Sequence, residues 1–511
     1  MKNILKKILC VSIALLMLLP VLVACKKDTP NNEGTSDSDV VSTTEGDGIE
    51  YDENGYQKDK LGTRDYGGRD IRILAFKGAS VEEFIPDYDS INNSVVGREL
   101  YLRDMNVEDR LKVNLVYNRV DGNNAKYKTD YLPMADSMIS GNEVDAFACY
   151  SMCATPLMTR GYLVNMLDYE DIDVTAPWWS KHLIERATIY DKLYFATGSI
   201  APSFLGEGVA VFFNKTMADA YLNNGVLDAY DAETLYDMVE NKTWTIDNFM
   251  TLSKTVTMQG VDKTDDDTYG YNASWASFDA WFFASGLVTL DNAADGSLQV
   301  SESWNSEKTI GLLDKLLPFV KSNSVYAAAD NAWKKGDTLF TTCNLVYLPE
   351  QKNNHPVGES GIGVLPMPMW DSEQGEYLST AGFPFTVWGM AKTSDRLDAV
   401  AATLECLASE GYRTTEPAFY ETVLKIKSVE GEGFLHDVEM IDLVRDSIVI
   451  DAGRVHNNDI GDLGWGMFRS CLAQDAANGA SNTTYSSYFS NNLSTLQGSL
   501  DTLNLVVKNL K

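Results

Sequence analysis

Histidine is scarce in this chain. Only His182, His355, His436 and His456 occur among 511 residues, and no two of them stand at i, i+4. No H-E-x-x-H, G-x-S-x-G or P-loop pattern is present, which removes the commonest metalloprotease, serine-hydrolase and nucleotide-dependent chemistries. The unpaired histidines also argue against a receptor built to carry zinc. Positive charge is short as well: 42 Lys and Arg against 73 Asp and Glu give a formal net charge of −31. That balance argues against nucleic acid and against direct contact with anionic lipid, and it suits a protein kept soluble at a crowded surface. Five of the seven cysteines lie beyond residue 25, in apolar segments (Cys149, Cys153, Cys343, Cys406, Cys471). An odd, scattered set gives no disulfide framework and reads as buried free thiols. A glycosidase needs only two carboxylates, which 73 acidic residues supply in excess. The eight strand–helix repeats of a barrel enzyme, however, are missing, and there is no internal repeat of any other kind.

Only one long apolar run exists, and it is at the start. Lys2, Lys6 and Lys7 precede an apolar stretch from Ile8 to Val23, interrupted by Ser12 and Pro20. At about 16 residues it is shorter than the ~20 that span a bilayer as a helix, and polar sequence follows it. Residues 1–24 therefore read as a secretory signal. Leu22-Val23-Ala24-Cys25, with small Ala24 before the cysteine, resembles the bacterial lipobox, which implies lipidation at Cys25 and a new N-terminus there. The plainer alternatives are an ordinary signal peptide with a chance cysteine and an uncleaved anchor; the tether-like sequence that follows favours lipidation. Residues 25–66 are polar and acidic, as in Asn31-Asn32-Glu33-Gly34-Thr35-Ser36-Asp37. Such sequence cannot bury enough apolar surface to offset its ordering entropy, so a flexible tether is expected. Acyl chains at ~0.8 kcal/mol per buried methylene would hold it to the membrane.

Roughly 445 residues remain, more than one core usually organises, so two lobes are expected. Ile71, Ile73 and Ala75 alternate as a strand, and Val95–Leu111 reads as a helix. A second strand follows at Val113, Leu115 and Tyr117. Tyr131, Leu132, Ala135, Met138 and Ile139 keep helical spacing up to Gly141, and Val144–Tyr150 reads as a buried strand. Strands alternating with helices imply an α/β fold with a largely parallel sheet. Ala201-Pro202-Ser203 and Gly206-Glu207-Gly208 break regular structure before a strand at Val209–Phe213, and the first crossing between lobes is expected there. Phe383–Met390 reads as a strand returning to the first lobe. The expected division is 67–204 plus 388–450 for lobe 1 and 205–387 plus 451–511 for lobe 2.

Several segments in order carry a resemblance that covers most of the chain. They are Gly141–Phe147, Thr159–Leu167, Val211-Phe212-Phe213-Asn214-Lys215, Thr243–Phe249, Trp333–Thr338 and Gly363-Val364-Leu365-Pro366-Met367-Pro368. Together with the lipobox, their order resembles family 1 extracellular solute-binding proteins, the lipoprotein receptors of ABC importers that include the maltodextrin binders. The stretch from Ala399 to Gly453 is closer to a clostridial branch, so ligand identity does not transfer. The resemblance implies a two-lobed, periplasmic-binding-protein-like fold of type II with a ligand cleft between lobes. It also implies permease subunits of an ABC transporter as partners, with no cofactor and no catalysis. The chain is then expected to be a monomer that touches the membrane only through its lipid, on the extracellular face of the cell.

Sugars stack apolar C–H faces on rings and offer hydroxyls to polar side chains, so the aromatic residues are the informative class. The candidate ligand contacts are Tyr150 after the Val144–Cys149 strand, Trp275 and Trp281 near a second-lobe helix, and Asn344 and Tyr347. Trp388 on the returning strand and Trp465 opening the C-terminal helical segment complete the set. Each ring also suits a core position. Trp178-Trp179 reads as structural, and Trp244 as a staple for a helix capped by Thr245. The loop Asp262–Asp267 lacks the glycine and distal glutamate of an EF-hand and reads as solvated. Carbohydrate, in particular an oligosaccharide, is the expected ligand. A surface enzyme acting on polysaccharide, a sensory or scaffolding lipoprotein, and a peptide receptor of the same fold stay open beside it.

Overall fold

The computed structural model describes residues 49–510 apart from 86–90, 92–93, 223–230, 257–262, 265, 275–276, 328–330, 359–360, 422–433 and 479–483. The leader and Cys25 lie outside the described residues, as do Asp262, Asp265 and Trp275. The chain joins the body before residue 66, the expected end of the tether. Asp59 is buried against Arg110 and accepts from Ser409 Oγ at 2.6 Å, and the Tyr56 ring packs edge-on to Tyr412 at 5.3 Å. Pairing with Arg110 and Ser409 holds the Asp59 carboxyl below its ordinary range although burial pushes it up.

The first lobe is built on β1 (Arg69–Lys77), α1 (Val95–Leu111), β2 (Val113–Asp121), α2 (Leu132–Gly141) and β3 (Ala146–Tyr150). Helix α1 starts where Ser94 accepts the Gly97 N–H and stops where Lys112 turns left-handed. Helix α2 carries Gly141 as its last residue, and Asn142 takes the left-handed position at its C-terminus. The second lobe contributes β4 (Val209–Asn214), α3 (Ala232–Glu240), α4 (Ile246–Ser253), β5 (Tyr269–Asn272) and α5 (Glu307–Lys321). It continues with β6 (Val325–Tyr326), β7 (Thr338–Asn344) and β8 (Ile362–Pro366). The chain then runs through β9 (Thr386–Met390), α6 (Leu397–Glu410), α7 (Phe434–Asp446), α8 (Leu463–Asn478) and α9 (Tyr485–Asn509).

Two sheets result. The first has the order β9-β3-β1-β2, with β1 parallel to β2 and β3, and β9 antiparallel to β3 through Val387↔Cys149. The second has the order β8-β4-β7-β5-β6 and is mixed: β4 runs antiparallel to both β8 and β7, while β5 is parallel to β7 and β6. The largely parallel expectation therefore describes three strands of the first sheet and fails for the second. There β4 follows the crossing segment, whose single helical turn, Pro202–Leu205, is too short for a parallel crossover. Arg72 ties β1 to β3 with two bonds to the buried Asp145 carboxylate, at 2.7 and 2.9 Å.

Helix α6 packs on α1, as the expected division has it in lobe 1. Helix α7 packs on β8 of the second sheet, although that division assigns it to the first lobe. Its Asp437 explains the placement: the buried carboxylate accepts from Val364 N at 3.0 Å, Tyr236 OH at 2.6 Å and Lys215 Nζ at 2.9 Å, all second-lobe groups. The second-lobe core is aromatic. Phe249 meets Trp244, Tyr271, Trp281, Phe319 and Phe340 with ring centroids 5.0–5.9 Å apart. Trp244 also donates its indole N–H to Pro366 O at 2.8 Å, and Thr245 caps α4 as expected. No described helix is long and apolar enough to cross a membrane.

Candidate functional site

Ser80 after β1, Tyr150 at the end of β3 and Asn344 at the end of β7 meet the crossing segment 201–208 in a polar cluster. Its centre is Glu207, buried between Gly206 and Gly208. One carboxylate oxygen, Oε2, accepts a short bond from Asn344 Nδ2, and the other, Oε1, is buried without a hydrogen-bond partner. Burial pushes the Glu207 carboxyl up to about 7, against the opposing pull of Ser80, Asn344 and the Arg454 cation. Gly382 is required here, because a Cβ at that position would collide with both Glu207 Oε2 and Asn344 Nδ2. Arg454 forms a buried ion pair with Asp279, donates to Ala381 O at 2.8 Å, and lies 4.2 Å over the Phe383 ring. Its charge and that of Glu207 both act on the buried Tyr150 hydroxyl, which burial drives well above its ordinary range. Tyr347, 38% exposed, is raised to about 12 by partial burial and then by Glu207.

Beside this cluster lies a cavity of about 410 Å³ with walls from both lobes. Asn124, Tyr127, Lys128 and Met152 come from the loops after β2 and β3. Asp462, Trp465, Arg469 and Ser470 come from the start of α8, which packs on α5 of the second lobe, and Tyr488 from α9. Tyr127 opens a π-helical turn, Tyr127–Tyr131, ahead of α2. The wider turn is a form frequent at functional sites. Its hydroxyl donates to Asn458 Oδ1 at 2.9 Å, and Asn458 Nδ2 donates to Met152 O at 2.6 Å, so the two walls are hydrogen-bonded at the cavity's edge. Nearby, Thr155 Oγ1 lies 2.9 Å from His456 Nδ1, a ring that burial holds neutral by lowering its pKa to about 3. Trp465 stands edge-on to Phe383 at 5.4 Å, and the Arg469 guanidinium lies flat on it at 3.2 Å. Rings with adjacent amide, hydroxyl and charged groups are the surface that a polyhydroxylated ligand needs.

No protein-family model and no curated protein matches the chain. Solved structures do. The galacto-N-biose-/lacto-N-biose I-binding protein of a Bifidobacterium longum ABC transporter, in complex with lacto-N-biose, matches with a TM-score of 0.52 at 13% identity, over 86% of this chain and 99% of that one. A cyclo/maltodextrin-binding protein complexed with maltotetraose matches at 0.51 and 12% identity, over 87% and 100%. A family 1 extracellular solute-binding protein from Bifidobacterium longum subsp. infantis matches at 0.50 and 13% identity, over 87% and 100%. The fold is the two-lobed periplasmic-binding-protein fold. These neighbours are binding proteins, and this chain spans their whole length.

Within that two-lobed fold the residues singled out from sequence fall into three groups. Tyr150, Asn344 and Tyr347 gather around Glu207, and Trp465 lines the cavity. Tyr150 stands one ring behind the cavity wall, 5.5 Å from Tyr127. Trp281 and Trp388 do not reach the site. Trp281 is 1% exposed in the second-lobe core, because its helical spacing aims it at Phe249 and Tyr271. Trp388 is equally buried, on a strand covered on both faces, against Phe84 at 6.0 Å. Trp178 and Trp179 are structural as expected, both donating to the buried Glu405 carboxylate at 3.0 and 2.9 Å. The sequence reading missed Tyr127, Glu207, Arg454 and Arg469. Arg469 had a usable signal, since it follows Trp465 at i+4 and so shares its helix face.

Proposed function

We propose that this chain is a lipid-anchored receptor on the extracellular face of the membrane. It captures a carbohydrate, an oligosaccharide, between its lobes and delivers it to the permease subunits of an ABC importer. The observation that carries the reading is the cavity of about 410 Å³ between the lobes, walled by Tyr127, Trp465 and Tyr488 together with amide, hydroxyl and charged groups. The fold of the solved sugar-binding neighbours supports it, as do the ligands named for them, lacto-N-biose and maltotetraose. Ligand touches both lobes only when they close, so it stabilises the closed form, and the permease reads that form. The chain binds and does not turn ligand over. Cys25 carries the lipid, and the protein works as a monomer.

A thermal-shift screen over mono- and oligosaccharides, amino acids and peptides tests the reading. A ligand at ~100 times its dissociation constant adds ~2.7 kcal/mol and raises the melting point by a few degrees. One glycan family should shift the wild type, and Trp465→Ala should lose at least about fivefold in affinity by calorimetry, since a stacked ring contributes ~1 kcal/mol or more. A response to peptides with silence across the sugars would leave a peptide receptor. Release of product from a labelled glycan would mean an enzyme.

A further inference from the structure

In the second lobe, α3 and α7 bring one histidine and three glutamates together. His436 of α7 stacks on the Tyr236 ring at 5.1 Å with 16° between planes, so the imidazole cannot swing freely. Its Nε2 is 2.8 Å from Glu233 Oε1, a hydrogen-bond distance. A neutral imidazole that donates from Nε2 keeps its Nδ1 lone pair for a cation. Nδ1 is buried and has no hydrogen-bond partner. Two carboxylate oxygens face it, Glu240 Oε1 at 3.7 Å and Glu439 Oε2 at 3.6 Å. These separations are too long for hydrogen bonds, whose heavy-atom distances end near ~3.2 Å. They match two ligands of one small cation: with metal–ligand bonds of about 2.1 Å, tetrahedral neighbours stand about 3.4 Å apart. The three donor atoms all lie within 4.8 Å of one another.

We infer that Glu240, His436 and Glu439 form a site for a divalent transition-metal ion of the zinc type, with Glu233 as the carboxylate that orients the histidine. An imidazole nitrogen with two carboxylate oxygens suits Zn²⁺ better than Ca²⁺ or Mg²⁺, which prefer oxygen alone. A histidine whose second nitrogen donates to a carboxylate is the usual outer support of such a ligand. Glu240 and Glu439 converge on the same ring nitrogen and repel each other. A bound ion reverses that repulsion and clips α3 to α7. The fourth position is left to water. Sequence gave no sign of this, because the ligands come from helices nearly two hundred residues apart. The site is independent of the carbohydrate reading and would stand if that reading failed.

The test uses the full chain, stripped with chelator, and follows its melting point and calorimetric titration with ZnCl₂, with MgCl₂ as the control. The expected result is one tight zinc per chain, a melting point raised by several degrees, and no comparable effect of magnesium. His436→Gln should abolish that binding step, and Glu233→Gln should weaken it about 10-fold, as loss of an outer carboxylate does. Co²⁺ should give the intense visible absorption of a four-coordinate ion in the wild type but not in His436→Gln. If His436→Gln melts early without metal, the exposed Glu439→Gln replaces it as the test variant. Zinc binding that survives both variants, or no zinc effect in the wild type, overturns the site.

Discussion

Glu207 is the residue on which the chemistry of the cleft turns. An exposed glutamate titrates near ~4.3, whereas burial pushes this one up to about 7. Between those two values the folded chain holds a proton that the unfolded chain has released. The folded state therefore loses stability as pH rises through that window, by about 4 kcal/mol at ~1.4 kcal/mol per pH unit. Below the lower value the contribution is fully present, and above about 7 it is gone. Glu207→Gln should flatten this part of the dependence, giving a melting point above that of the wild type at pH 8 and close to it at pH 5. A pH series of thermal melts on both proteins reads this directly, and parallel curves would mean that Glu207 does not titrate there. Sequence could not flag this residue, because Gly206-Glu207-Gly208 looks like a chain breaker. What makes it special is burial among Tyr150, Asn344 and Arg454, which arrive from distant segments. Trp465, which lines the cavity, stood out because the resemblance expects a stacking ring where the C-terminal helical segment opens. Trp281 misled because its neighbours in sequence are aromatic whether the ring faces a ligand or a core.

At the scale of elements, the local signals were strong wherever a cap or a period sets the structure. Ser94, Asp231, Thr245, Ser306 and Thr484 each accept a backbone N–H at the start of a helix, as their side chains dictate. The helix expected from Tyr131 was recognised, but not the π-helical turn before it, whose extra residue swings Tyr127 towards the cavity. Around Tyr190 the chain reverses through a single bridge, Ile189↔Lys192, with Tyr190 and Asp191 both left-handed. That turn presents Lys192 to the last turn of α9. Lys192 Nζ donates to Val507 O at 3.1 Å, Lys508 O at 3.3 Å and Leu510 O at 2.6 Å. A cation there satisfies open carbonyls and complements the negative end of the helix. Lys192→Met should cost about 1–2 kcal/mol. Hydrogen exchange should show faster loss of protection over residues 503–510 than elsewhere. Uniform exchange across the chain would contradict the capping role.

On the scale of the molecule, the expectation of two lobes and an α/β fold came from the alternation of strands and helices, and that level of organisation was legible. The membership of late segments was not. Helix α7 joins the second sheet through Asp437, a single buried carboxylate that reads as an ordinary surface acid in sequence. For function, the population-shift reading makes one further demand. A saturating glycan that raises the melting point should also reduce the radius of gyration in solution scattering, because it stabilises closed over open lobes. A glycan that binds tightly without changing the scattering would mean that capture does not close the lobes.

The first sheet has one more consequence. Its edge strand β9 lies against β3, so Val387 pairs with Cys149 across more than two hundred intervening residues. A nascent chain therefore cannot finish its N-terminal lobe until most of its length has been synthesised. Contacts of such long sequence separation fold slowly. Under the exported role proposed above, this delay lets the chain meet the translocation machinery still unfolded and complete its architecture only on the far side.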